Sequence, residues 1–144
     1  VNDILFPTKK SADVFDWYDK EIGLYPLYIC PICPTKKSYF FNIPKNYIDF
    51  GVGYGVTADT TEQSIKWKKK LEKKMLECKG VKLLYCKQWL NKDDFWKVYS
   101  NIKSFKKNNK DLKDEKITGE EVYNYIKNKY DPKNKFPSLY EKVS

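Results

Sequence analysis

Four short segments of the chain are largely apolar and rich in aromatic and β-branched residues. Proline or glycine bounds most of them. These features predict β-strands. The predicted strands cover residues 4–6, 24–30, 47–55 and 81–85.

Between and after these strands the apolar positions recur every three or four residues, which predicts helices. Ser11 is the expected N-cap of a helix from Ala12 to Ile22 that stops at Gly23. A T-x-x-Q capping box at 60–63 opens a helix that runs to Lys79. Two shorter helices are predicted to start at the polar caps 91–94 and 118–121, the second ending at Asp131-Pro132. The apolar stripes of the last three helices are Trp67, Leu71, Met75 and Cys78; Phe95, Val98 and Ile102; and Val122, Ile126 and Tyr130.

The predicted order is strand, helix, strand, strand, helix, strand, followed by extra C-terminal helices. This order is typical of a ferredoxin-like α+β fold, an antiparallel sheet with both helices on one face. Its other face is expected to be open to a ligand or a partner domain. At 144 residues the chain is expected to form a single domain. The lysine-rich stretch 103–116 is expected to be a flexible inserted loop.

The net charge of +9 invites comparison with nucleic-acid-binding proteins, but all 28 basic residues are lysine. Arginine, with its planar fork of donors, is the residue that such proteins favour for contacts with guanine and phosphate. The lysines accompany ten asparagines, as an AT-rich coding bias would produce. We therefore expect a solvated lysine surface and no specific nucleic-acid partner.

Histidine is absent from the chain, which excludes Ser-His-Asp and Cys-His catalytic arrangements and His-ligated metal sites within it. Cys30 and Cys33 are three apart, whereas Cys78 and Cys86 are eight apart, so the paired spacing of a zinc site is missing. We predict no metal site and interpret the cysteines as small apolar side chains in a reducing compartment.

Strand alternation separates the residues that face the helices from those that could face a ligand. In the third strand Ile48 and Phe50 are expected to face the helices, which places Tyr47 and Asp49 on the open face. In the second strand Leu27 and Ile29 are separated in the same way from Tyr28 and Cys30. The open face is thus predicted to carry tyrosines and a carboxylate.

Three phrases in fixed order carry a resemblance to a known family: EIGLYPLYICP at 21–31, YIDFGVGYG at 47–55 and ECKGVKLLYCKQWLNKDDFW at 77–96. With VNDILFPTKK at 1–10 and FPSLYEKV at 136–143, they resemble the C-terminal part of the Delta(24)-sterol reductases, flavin-dependent enzymes of the vanillyl-alcohol-oxidase superfamily. The resemblance implies a substrate-side cap whose FAD-binding domain lies upstream of Val1. It further implies NADPH as reductant, a sterol or related lipid as substrate, and no catalysis by this chain alone.

Reduction of a carbon–carbon double bond by a flavin needs a proton donor beside the substrate. The candidates are Asp49, Tyr47 and Tyr54. The family phrase has one glycine fewer than residues 47–55, so Tyr54 is less firmly aligned than Asp49. An equally weighted alternative for Asp49 is a salt bridge, or a bond to backbone amides that orders the loop at Gly51. The residues expected to face substrate or flavin are Tyr25, Tyr28, Gly51 and Tyr85.

The same strand and helix order also occurs in RNA-recognition domains, which stack bases on an open sheet face. The alternative function is therefore an RNA-binding or assembly module. The sequence contains neither a secretory signal nor an apolar run long enough to span a bilayer. The resemblance implies an intracellular parent protein associated with the endoplasmic-reticulum membrane.

Overall fold

The computed structural model describes residues 2–32, 43, 45–53, 61–109 and 116–144. These residues fall into two compact units. The sheet unit contains residues 2–32, 45–53 and 61–90, and the helical unit contains residues 91–109 and 116–142.

The sheet unit contains four strands and two long helices. Its elements in chain order are β1 (Asn2–Pro7), α1 (Ser11–Glu21), β2 (Leu27–Ile32), β3 (Tyr47–Val52), α2 (Thr61–Glu77) and β4 (Val81–Lys82). The strands lie in the order β2-β3-β1-β4, and all neighbouring pairs are antiparallel. The α+β class and the ferredoxin-like topology predicted from the sequence are confirmed.

Both helices pack on the same face of this sheet. Phe50 lies opposite Ile4 in the register of β3 and β1, and Ile4 lies opposite Lys82 in that of β1 and β4, so these side chains share a face. The Phe50 ring contacts Tyr18 of α1 at a centroid distance of 5.0 Å. Lys82 forms an ion pair with Glu72 of α2. The prediction that Phe50 faces the helices is therefore confirmed.

The limits of the strands differ from the prediction, since β1 runs from Asn2 to Pro7 and β3 ends at Val52. β2 begins at Leu27 and continues through Pro31 to Ile32, whereas the sequence suggested that Pro31 would end it. Proline is tolerated here because β2 is an edge strand, where a missing N–H leaves no central ladder bond unmade. β4 has only two residues, Val81 and Lys82, and the chain then turns at 84–85.

A glycine follows the C-terminal end of each of the helices α1 and α2. Gly23 has φ +63°, and its N–H donates to the Tyr18 carbonyl, so it ends α1 as predicted. Gly80 follows α2 where a Cβ would lie 2.6 Å from the Leu5 carbonyl oxygen. A side chain there would displace β1. The predicted cap of α2 at Thr60 lies outside the described residues.

Four helices follow the sheet unit along the chain: α3 (Lys92–Val98), α4 (Ile102–Asn108), α5 (Gly119–Tyr130) and α6 (Leu139–Val143). The predicted caps of α3 and α5 are confirmed, because Asn91 accepts from the Asp94 N–H and Thr118 forms a capping box with Glu121. The helical unit buries Phe95, Trp96, Phe105 and Val122. Tyr130, predicted to continue the apolar stripe of α5, is exposed instead.

α4 corrects the prediction of a loop over 103–116. Asn101 caps this helix by accepting from the Ser104 N–H, and Phe105 is buried with its ring 5.5 Å from that of Tyr125. One buried aromatic side chain and a cap outweigh the lysine-rich composition. Residues 110–115 lie outside the described part. None of the helices in the described part is both long and apolar enough to cross a bilayer.

Candidate functional site

The sheet face opposite α1 and α2 carries a compact group of polar side chains. Gly51 of β3 lies opposite Asp3 of β1 on one side and opposite Tyr28 of β2 on the other. Two residues along β3, Asp49 lies opposite Cys30 of β2. Opposite and diagonal neighbours on one face are within side-chain reach. We call Asp3, Asp49, Tyr28 and Cys30, which surround Gly51, the carboxyl cluster.

Asp49 is the most constrained member of the carboxyl cluster. Its residue is 5% exposed, and its Oδ1 atom is buried with no hydrogen-bond partner among the described residues. Burial, together with the negative charge of Asp3, raises the pKa of Asp49 from 3.8 to about 6, although a bond from the Phe50 backbone works in the opposite direction. Asp49 forms no salt bridge with any of the described residues, so the ion-pair alternative is not supported.

Asp3 is a cluster member that the sequence analysis missed. It is the second residue of β1, is 1% exposed, and directly follows the buried Asn2. The predicted strand began only at Ile4, so the polar pair before it was not placed in the sheet. A signal was available, because the alternation of β1 puts Asp3 on the same face as Leu5.

The exposed Tyr28 and the half-buried Cys30 form the rim of the cluster on the edge strand β2. Tyr28 is 48% exposed. Its pKa is raised first by a hydrogen bond and a charge interaction with the Cys30 thiol, then by burial and by the charges of Asp49 and Asp3. Both carboxyls thus contribute to the raised pKa of the Tyr28 hydroxyl. The predicted separation of Tyr28 and Cys30 from Leu27 and Ile29 agrees with the register.

Tyr47 lies on the same face of β3 as Asp49, but its hydroxyl is committed elsewhere. It donates to the carbonyl of Lys79, just after α2, at 2.7 Å. The residue is buried, and burial raises its pKa. This contact connects the start of β3 to the segment just after α2, so we assign a structural role to the Tyr47 hydroxyl.

Two of the remaining predicted site residues, Tyr25 and Tyr85, are not brought to the carboxyl cluster. The exposed Tyr25 precedes β2 and donates to the Asp19 carboxylate of α1 at 2.8 Å. Tyr85 is 60% exposed in the turn after β4, which lies at the opposite edge of the sheet from β2. Tyr54 lies outside the described residues.

The prediction of an open sheet face is wrong at the centre of the sheet. Asp3, Leu5, Tyr47 and Asp49 are all buried on that face, and exposure is confined to β2 at its edge. Among the described strand residues of this face, Tyr28 on the edge strand β2 is the only exposed side chain. The cluster is thus a buried carboxyl pair with a tyrosine at its entrance.

A second buried charged group lies on the helix face, and sequence reasoning missed it too. Lys82 donates to Glu72 and to the Lys87 carbonyl, and the other Glu72 oxygen accepts from the Trp89 N–H at 2.8 Å. Both charged side chains are almost fully buried. This network fastens the segment after β4 to α2. Within the described ranges, no three His, Cys, Asp or Glu side chains converge as metal ligands.

The chain is similar to curated Delta(24)-sterol reductases over nearly its whole length. The chain is 23% identical over 147 residues to the Delta(24)-sterol reductase of Homo sapiens, and 22% identical over 149 residues to that of Mus musculus. Both matches cover 99% of this chain and 25% of the relative. The reductase of Pisum sativum is 24% identical over 119 residues, 69% of this chain and 21% of the relative. The resemblance to the Delta(24)-sterol reductases is confirmed.

The chain spans about a quarter of the length of the reductases that it matches. No family model and no solved structure matches it. Two of the phrases that carry the resemblance fold onto neighbouring strands: 21–31 contains most of β2, and 47–55 contains all of β3. The part of the chain that resembles the reductases most clearly therefore also supplies Tyr28, Cys30 and Asp49.

Proposed function

We propose that this chain is the C-terminal, substrate-side cap of a FAD-dependent oxidoreductase that reduces a side-chain double bond of a sterol or related lipid. NADPH is the reductant, and an FAD-binding domain precedes the cap in the same protein. The chain alone is expected to be inactive. The observation that carries this proposal is the similarity to Delta(24)-sterol reductases over 99% of the chain.

The chemistry of the second sheet face supports a substrate-side role. FAD, when bound and reduced, supplies a hydride to one carbon of the double bond. The strand residues described on this face include two carboxyls, two tyrosines and a thiol but no lysine, since Lys82 faces α2. Such a face fits an apolar substrate and a proton donor. It offers no cation for the phosphates of a dinucleotide, which fits their being held by the preceding domain.

Within this proposal Asp49 donates the proton. Its carboxyl gives a proton to the second carbon of the double bond, becomes a carboxylate, and recovers a proton from solvent through the entrance at Tyr28. A pKa of about 6 keeps a useful fraction protonated near neutral pH. An apolar substrate lying over Asp49 would raise the pKa further by excluding water. Tyr47 is a weaker candidate, because its hydroxyl already donates to Lys79.

The first experiment is the visible spectrum of a longer protein that extends upstream of Val1. We expect bound flavin that bleaches on addition of NADPH and is reoxidised by a sterol with a side-chain double bond. Mass spectrometry should then find a sterol product with two additional hydrogens. A colourless protein that also rejects added FAD would contradict the proposal.

Substitutions in that longer protein test the role of Asp49. We expect Asp49→Asn to lower the rate of sterol reduction by about 10²–10⁴-fold, the usual contribution of a general acid. Flavin reduction by NADPH should stay at the wild-type rate. Asp16→Asn, on the exposed side of α1, is the matched control and should leave both rates unchanged. Full sterol reduction by Asp49→Asn would exclude Asp49 as the donor.

The alternative, an RNA-binding or assembly module, has the ferredoxin-like topology in its favour. Two buried carboxyls at the centre of the relevant face oppose it for RNA, because they would repel phosphates. An RNA-binding assay becomes informative if the flavin experiment fails.

A further inference from the structure

We propose that Asp3 is a positioning residue whose negative charge, held across Gly51, keeps the proton on Asp49. Its catalytic meaning rests on the proposed function, but the charge relationship itself is a property of the sheet unit.

The register brings the two carboxyls together from different strands. Asp3 lies opposite Gly51, and Asp49 lies opposite Leu5, so Asp3 and Asp49 are diagonal neighbours on one face. The Cα atoms of such diagonal pairs are about 7–8 Å apart, and their side chains come closer. Gly51, directly opposite Asp3, contributes no side chain that could separate them.

Burial strengthens the charge interaction between the two carboxyls at this separation. Asp3 is 1% exposed and Asp49 is 5% exposed, so little water screens one charge from the other. Oδ1 of Asp49 has no hydrogen-bond partner in the described part of the chain. A second negative charge at Asp49 would therefore be both repelled and poorly solvated. Protonation of Asp49 removes both penalties.

The other side chains that face Asp49 do not supply the negative charge that we assign to Asp3. Cys30 lies directly opposite on β2, and Tyr28 lies diagonally on the same strand. Tyr47 lies on the same face of β3 but donates to Lys79. None of the three is cationic, and the lysine of the neighbouring β4 forms its ion pair on the other face. The negative charge of Asp3 also raises the pKa of Asp49, second only to burial.

Carboxyl ¹³C NMR titration of this chain tests the inference. We expect the pKa of Asp49 to fall by about one unit in Asp3→Asn, which keeps the side-chain shape and removes the charge. In Asp3→Glu, which restores the charge, Asp49 should titrate as in the wild type. Asp16→Asn removes an equal charge from α1 on the other face and should leave Asp49 unchanged.

The result that would overturn the inference is an Asp49 pKa that stays at about 6 in Asp3→Asn, because burial alone would then account for it. An equal fall in Asp16→Asn would also overturn it, since the effect would belong to net charge. Asp3→Ser answers the same question if Asp3→Asn does not fold. No flavin or sterol enters the titration, so its failure can be told apart from failure of the reductase proposal.

Discussion

The two faces of the sheet differ in how their buried charged side chains are paired. On the helix face Lys82 and Glu72 carry opposite charges, and both make further bonds to the backbone of residues 87 and 89. On the other face Asp3 and Asp49 carry the same charge, and an Asp49 oxygen has no partner among the described residues. In the first arrangement each buried charge is compensated by an opposite charge and by backbone bonds. The second arrangement is unfavourable, because like charges repel and a buried oxygen lacks a partner among the described residues. Natural proteins tolerate such arrangements mainly where chemistry or binding uses them.

The largest expected effect comes from breaking the satisfied pair. Lys82→Met leaves Glu72 buried without its counter-charge and should lower the free energy of unfolding by about 3–5 kcal/mol. Urea denaturation at neutral pH measures this loss. The double variant Lys82→Met, Glu72→Leu should recover part of it, since no unpaired charge remains. A single variant that costs less than about 1 kcal/mol would mean that the pair is not desolvated.

For the carboxyl cluster we expect a contribution to stability that depends on pH. The folded pKa of Asp49, about 6, lies above its ordinary value of 3.8, so its stabilising protonated form is fully present below about pH 4. Stability from this group is lost as pH rises through 6, by about 3 kcal/mol in total. We expect Asp49→Asn to lose this pH dependence.

Urea denaturation of wild type and Asp49→Asn at pH 4 and pH 7.5 measures that difference. Comparing the two pH values within each protein removes the constant cost of the amide. Asp16→Asn serves as the surface control. An identical pH dependence in wild type and Asp49→Asn would show that Asp49 has an ordinary pKa.

Tyr47 sharpens the comparison, because it lies beside the cluster but is fully bonded. Tyr47→Phe removes the hydroxyl that donates to the Lys79 carbonyl and should cost about 1 kcal/mol of unfolding free energy. In the longer protein it should leave sterol reduction nearly unchanged. A large loss of turnover with no loss of stability would return Tyr47 to the list of proton donors.

The smallest effect is expected at the rim. Tyr28→Phe removes a hydroxyl from a side chain that is 48% exposed, so the free energy of unfolding should change by less than about 0.5 kcal/mol. Because Tyr28 lies at the entrance to the cluster, the variant tests access in the longer protein. An unchanged Michaelis constant for the sterol would place the substrate away from β2.

Local patterns were sufficient for much of the fold. Alternation placed Phe50 on the helix face, Gly23 ended α1, and the caps at Asn91 and Thr118 opened their helices as predicted. Each of these features depends on residues a few positions apart. The similarity to the reductases could also be found from short phrases, because it resides in the chain itself.

Other features depended on neighbours that are distant in sequence. Pro31 continues β2 because that strand lies at the edge, and α4 forms because Phe105 is buried beside Tyr125. Neither condition can be read from local propensity. The same limit explains why Tyr47 and Asp49, two residues apart on one strand face, received the same predicted role.

The sequence by itself determined the order of elements, the faces of the strands and the resemblance to a reductase family, since these follow from periodicity and from short phrases. Only the tertiary structure decided which polar residues meet. Asp3 and Asp49 are forty-six positions apart in the chain, and strand register makes them neighbours across Gly51. Burial and the proximity of like charges then set the pKa of Asp49, and both arise only when β1, β2 and β3 are assembled.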